Sequence, residues 1–144
     1  MPISINLRND SMNSESVVRH WLLEFSEAVR LRNYEKGRSL FAPETVGFGT
    51  VASRCDGLEK LEAEQWRRVW EVTSDFEFEM DQAVVYACGE LASAACFWRS
   101  FGCKEDGSKF PRRGRCTFVF QIRSGKCVAV HSHFSMMPHD CVSD

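Results

Sequence analysis

Net charge is nearly absent from this 144-residue chain, in which 18 lysines and arginines stand against 20 aspartates and glutamates, a formal balance of −2. Without a long-range field of one sign, neither nucleic acid nor a membrane surface is expected as a partner. A secretory leader is missing too, because residues 1–10 have no basic start and no continuous apolar segment. The long apolar stretch 83–98 is broken by Gly89-Glu90 and is too short to cross a bilayer. A disulfide framework is also excluded: the seven cysteines are odd in number, and most sit inside strand-like runs rather than at loop corners. These absences point to a cytoplasmic protein with reduced thiols. Its length suits one domain with a core and one small-ligand cavity.

What is present is a change of period along the chain. Residues 1–13 are polar and aperiodic and read as a flexible N-terminal arm, residues 14–138 as one domain and 139–144 as a tail. Val18, Trp21, Leu22, Phe25, Ala28 and Val29 recur at three- and four-residue steps and predict a helix from Ser14 to about Arg32. Residues 33–41 predict a short second helix and 46–51 a first strand. Asp56, with Glu59 three residues on, predicts a capping box that opens a third helix running to Trp70. Beyond Ser74 the period becomes two. Phe76, Phe78 and Met80 alternate with acids, an irregularity falls near Gln82, and long strands follow at 91–101, 115–122 and 126–135. The segment 109–115, rich in arginine around Pro111 and Gly114, reads as a solvated hairpin loop.

The last strand ends in His131-x-His133. Strict alternation places both imidazoles on one face, with Cys127, Ala129 and Ser135. On the fourth strand, Arg115, Thr117, Val119 and Gln121 share one face, and Cys116, Phe118, Phe120 and Ile122 the other. Either set is compatible with lining a pocket or packing against a partner. Arg99 is expected to pair across the sheet with Glu77 or Glu79. No metal site is predicted, because residues four apart on an extended strand already lie roughly 13 Å from one another, and Cys127 and His133, six apart, are farther still and too distant to share an ion.

The element order, Asp56-Gly57 at the third helix, Arg115-x-Thr117 opening the fourth strand, the Gly125 turn and the closing His131-x-His133-x-Ser135 before a proline resemble the nuclear transport factor 2-like superfamily. The match is nearest to its SnoaL-like and ketosteroid-isomerase-like small domains. The resemblance implies an α+β, cystatin-like fold in the order α-α-β-α-β-β-β-β, with a cone-shaped, curved antiparallel sheet packed on three N-terminal helices. It also implies an apolar pocket and a homodimer paired through the sheet. Steroid isomerases of that superfamily set a carboxylate base beside the first strand, whereas residues 46–51 hold no acid. Acid/base chemistry is therefore expected of His131 and His133, and ligand contact of Trp21, Phe25, Phe48, Trp66, Trp98, Arg115 and Thr117. The function this implies is a pocket protein for a small apolar organic ligand, acting as an isomerase, cyclase or hydrolase without a cofactor. The alternative is a non-catalytic association or ligand-binding module.

Overall fold

Val18, Trp21, Leu22, Phe25, Ala28 and Val29 form the buried face of α1 (Pro2–Leu31), as their spacing predicts. In the computed structural model of the chain, residues 2–139 are described, with side chains from Ser14. The helical backbone thus begins within the stretch expected as an arm, and the tail beyond His139 lies outside the described residues. α2 (Tyr34–Ser39) is capped by Asn33, whose side-chain oxygen accepts from the Lys36 amide at 3.1 Å. Gly37 sits against two indoles: a Cβ there would stand 2.9 Å from Trp70 and 3.0 Å from Trp66, so any side chain would push the helix away.

β1 (Phe41–Phe48) starts earlier than predicted and carries Pro43. The proline is exposed and lies where the register shifts between Phe41 and Val46, so no ladder amide is lost. After β2 (Cys55–Asp56), α3 (Leu58–Leu61) runs through a π-helical segment (Glu62–Trp66) into α4 (Arg67–Val69) and a 3-10 turn (Trp70–Val72). The predicted capping box is not formed. Asp56 pairs with Val46 in the sheet and its carboxylate accepts from Arg54 Nε at 3.0 Å, while Gly57, at φ 97°, takes the N-cap position.

The remaining strands are β3 (Thr73–Phe78), β4 (Val84–Cys88), β5 (Leu91–Cys103), β6 (Lys109–Arg123) and β7 (Lys126–Met136). A 3-10 turn, Met80–Gln82, makes the predicted break between β3 and β4. Strand order is β2-β1-β7-β6-β5-β3, with β4 also on β5. The class is α+β, as expected, and the sheet is mixed because β1 joins β7 in parallel. Segment 109–115 belongs to β6 rather than to a loop. The hairpin tip precedes it, where the Asp106 carboxylate accepts from the Ser108 amide at 2.9 Å and its hydroxyl at 2.6 Å.

The inner face of the sheet meets the helices. Phe118, 0% exposed, is ringed by Trp21, Phe25, Phe78 and Phe134 at centroid distances of 4.8 to 5.9 Å. Truncating such a ring to alanine costs about 3–5 kcal/mol. Of the two faces weighed for β6, the one bearing Cys116, Phe118 and Phe120 is therefore the inner one, and Arg115 and Thr117 point outward and are exposed. Among the described residues no helix is long and apolar enough to cross a membrane.

Candidate functional site

Which β7 side chains reach the interior depends on one residue. Against β6, Cys127 faces Ile122 and Ala129 faces Phe120; the register then slips, and His131 faces Val119, His133 faces Thr117 and Ser135 faces Arg115. Val130 is the extra residue of a β-bulge, and parity reverses across it. Cys127 and Ala129 are in the core, but beyond the bulge Ser132 and Phe134 take the inward positions. His131 and His133 do share a face. It is the outer face, with Arg115 and Thr117, so none of these four expected ligand contacts lines the cavity. His131 Nδ1 donates to the Val46 carbonyl at 2.7 Å, which places its proton on Nδ1 because a carbonyl only accepts. The Phe48 ring stands edge-on to both imidazoles, with centroids 5.1 and 5.3 Å away.

A cavity of about 50 Å³ lies between the helices and the inner face of the sheet. Phe25 of α1, Trp66 and Trp70 of the third helical segment, and Phe76, Trp98 and Phe134 of the sheet form its aromatic walls. Phe25, Phe48, Trp66 and Trp98 thus line it as expected. Trp21 does not: it is buried deeper, with Nε1 donating to the Leu40 carbonyl at 2.8 Å. Behind the wall the rings continue as a stack. Trp66 lies on Trp70 (4.8 Å), Trp70 on Tyr34 (4.9 Å), and the Arg67 guanidinium covers the Tyr34 ring at 3.6 Å. Burial, and then the hydrogen bond that the Tyr34 hydroxyl donates to Glu71, push the phenol up to about 12.

Thr50, Gln65 and Thr73 of the cavity wall are already committed. Gln65 Oε1 accepts from the amides of Val51 (3.0 Å) and Ala52 (2.8 Å), and its Nε2 donates to Thr50 Oγ1 at 3.0 Å, holding the loop after β1. Thr73 Oγ1 donates to the Val69 carbonyl at 2.6 Å. Ser100 Oγ is different: the residue is 4% exposed and its hydroxyl has no partner. Directly across the β5–β6 ladder stands Arg112. Among the described residues its side chain finds only the Met136 sulfur, at 3.5 Å, with its Cζ 5.7 Å from the Trp98 ring. Burial pulls its pKa below the usual arginine value. No other ionisable side chain lines the cavity among the described residues. Sequence reading missed Arg112 by assigning 109–115 to a loop, although counting back by twos from Phe118 leads to it.

Outside the cavity, Arg99 and Glu77 are register partners, with Arg99 Nε donating to the carboxylate at 2.6 Å, the cross-strand pair expected. Cys55 is buried, and desolvation followed by the nearby Glu64 carboxylate raises its pKa, which suits an inert thiol. Cys96 and Cys116 face each other across β5 and β6, and burial holds the Cys116 thiol well above its ordinary value. Among the described residues no cluster of three or more histidine, cysteine or acidic side chains could hold a metal; Cys141 lies outside them.

The model of a family described as SnoaL-like domain matches residues 18–139. No curated protein matches the chain significantly. Among solved structures, an NTF2-like protein of unknown function from Pseudomonas putida KT2440 is 24% identical, covering 92% of each chain, with a TM-score of 0.75. A ketosteroid isomerase-like protein from Erwinia carotovora atroseptica is 12% identical over 85% of this chain and 95% of its own, with a TM-score of 0.72. The association domain of CaMKII from C. elegans is 15% identical over 88% and 98%, with a TM-score of 0.69. At such identities the likeness is one of fold.

Proposed function

The chain belongs to the SnoaL-like domain family, and from that premise we propose that it is a pocket protein binding a small, largely aromatic or apolar organic molecule between its helices and the inner face of its sheet. One observation carries this reading: a wall built from Trp66, Trp70, Trp98 and four phenylalanines surrounds the Ser100 hydroxyl and the Arg112 guanidinium, both uncommitted among the described residues, the composition of a small-molecule site. The free space, about 50 Å³, is smaller than the roughly 300–1,000 Å³ of drug-sized sites. The ligand is therefore small and displaces side chains as it enters.

Binding is favoured over histidine-driven catalysis, since Arg112 is the only ionisable group among the described cavity walls. Isomerase, cyclase or hydrolase chemistry on His131 and His133 would need a substrate on the opposite side of the sheet. A second copy of the chain belongs to the same reading, seated on the outer face of β5–β7, where the half-buried Phe97 and Val119 adjoin Thr117 and His133. So does a cytoplasmic, reducing setting, supported by Cys96, Cys116 and Cys127 lying buried within strands.

Thermal shift and tryptophan fluorescence with a panel of small aromatic compounds test the proposal. Tm should rise with concentration, by the equivalent of about 2.7 kcal/mol at a hundredfold excess over Kd, with quenching of the cavity tryptophans. Val69→Trp, which fills the space, should abolish both responses while the circular dichroism spectrum stays unchanged. A response in that variant equal to the wild type's, or none from any compound at millimolar concentration in the wild type, would sink the reading.

A further inference from the structure

Ser100 and Arg112 hold a particular place. They line the aromatic cavity and also a groove of about 510 Å³ beside it, so they stand where the two spaces meet. A buried hydroxyl without a partner and a guanidinium without a counter-ion are each costly alone, and a group that accepts from both relieves the two together. Every other arginine of the groove is occupied. Arg99 pairs with Glu77, Arg113 lies 3.7 Å from Glu79, and Arg30 donates to the Phe76 carbonyl at 2.8 Å. On the cavity wall itself Arg112 is the only cation among the described residues, so a single positive charge meets the ligand there. It matches a monoanion and leaves a phosphate dianion undercompensated. Two donors directed at one acceptor group suit the paired oxygens of a carboxylate.

Resting on the pocket reading above, we propose that the ligand is an aromatic or similarly apolar monocarboxylate, its carboxylate held by the Arg112 guanidinium and the Ser100 hydroxyl and its body laid against Trp66, Trp70 and Trp98. The lowered pKa of Arg112 agrees with a charge held partly out of water and not yet paired. No bond is made or broken in this recognition.

The full chain is titrated with benzoate and phenylacetate, and with benzamide and phenylacetamide as neutral isosteres, following tryptophan fluorescence. Each acid should bind the wild type at least tenfold more tightly than its amide. Arg112→Met should bring the acids to the level of the amides, leave amide binding unchanged, and melt no lower than the wild type, because among the described residues the lost charge has no carboxylate to abandon. Arg112→Lys, which keeps the charge and loses the fork, should retain part of the preference and serves if the methionine variant does not fold. Ser100→Ala should weaken the acids alone. Amides binding the wild type as tightly as acids would overturn the carboxylate assignment and leave the pocket reading standing. Equal loss of both classes in Arg112→Met would overturn it as well, by making Arg112 a wall residue. Failure of both classes to bind the wild type at millimolar concentration would remove both proposals.

Discussion

A phenol stacked on Trp70, covered by the Arg67 guanidinium and donating its proton to Glu71 ionises only at about pH 12, above the ordinary 10.0 of an unfolded tyrosine. The sign of its contribution follows. The folded-state value is raised, so the stabilisation from Tyr34 is complete below pH 10 and is lost as pH climbs from 10 towards 12. Cys127, which burial also pushes up to about 12, adds to the alkaline loss in any variant that keeps it. The difference between wild type and Tyr34→Phe thus isolates the phenol. In urea melts from neutral to strongly alkaline pH, the wild-type midpoint should fall more steeply than that of Tyr34→Phe once pH 10 is passed. Parallel curves would mean that the phenol ionises as freely in the fold as in the unfolded chain.

At the scale of elements, the bulge in β7 makes the sharpest prediction. Deleting Val130 would remove the extra residue and leave Ala129 opposite Phe120 and His131 opposite Val119, so His131 and His133 should stay on the outer face and Ser132 and Phe134 on the inner one. No side chain then changes face, and the variant should keep a cooperative melt by circular dichroism. A deletion variant without a cooperative melt would show that the bend the bulge puts into β7 is itself required. The same bulge marks the limit of what the sequence discloses. Periodicity was enough for the buried face of α1, for Phe76 and Phe78 and for the break near Gln82, because each repeats locally. It misplaced the histidines because alternation was carried across nine residues that contain one extra, and Val130 looks like its neighbours. It would have found Arg112, since β6 pairs with β5 without interruption from Lys109 to Gln121. The capping box failed for another reason: Asp56 is claimed by a short strand that pairs with Val46 across the loop after β1.

For the whole molecule, the open question of surface is assembly. Helices occupy one side of the sheet, and the other presents Phe97 and Val119, half-buried, among Arg115, Thr117 and His133. If that side seats a second copy, as proposed, the wild type should scatter light as a dimer at micromolar concentration. Val119→Arg, which sets two like charges against each other across a two-fold axis, should be monomeric with an unchanged circular dichroism spectrum. A wild-type protein that stays monomeric at high micromolar concentration would refute the dimer.

The parallel pairing of β1 with β7 joins nearly the first strand of the chain to the last, Val46 beside His131 and Phe48 beside His133. During synthesis, α1, α2 and β1 leave the ribosome before their partners exist; Phe25 and Phe41 can meet Trp66 once the third helical segment is made, but Trp21 lacks its sheet partners until β6. Trp21 waits for Phe118 and Phe120, and β1 waits for its ladder. Closure of the β1–β7 ladder is thus deferred until β7 has been made, a long-range, slow step by its topology, and until then the unpaired edge and bare rings favour aggregation.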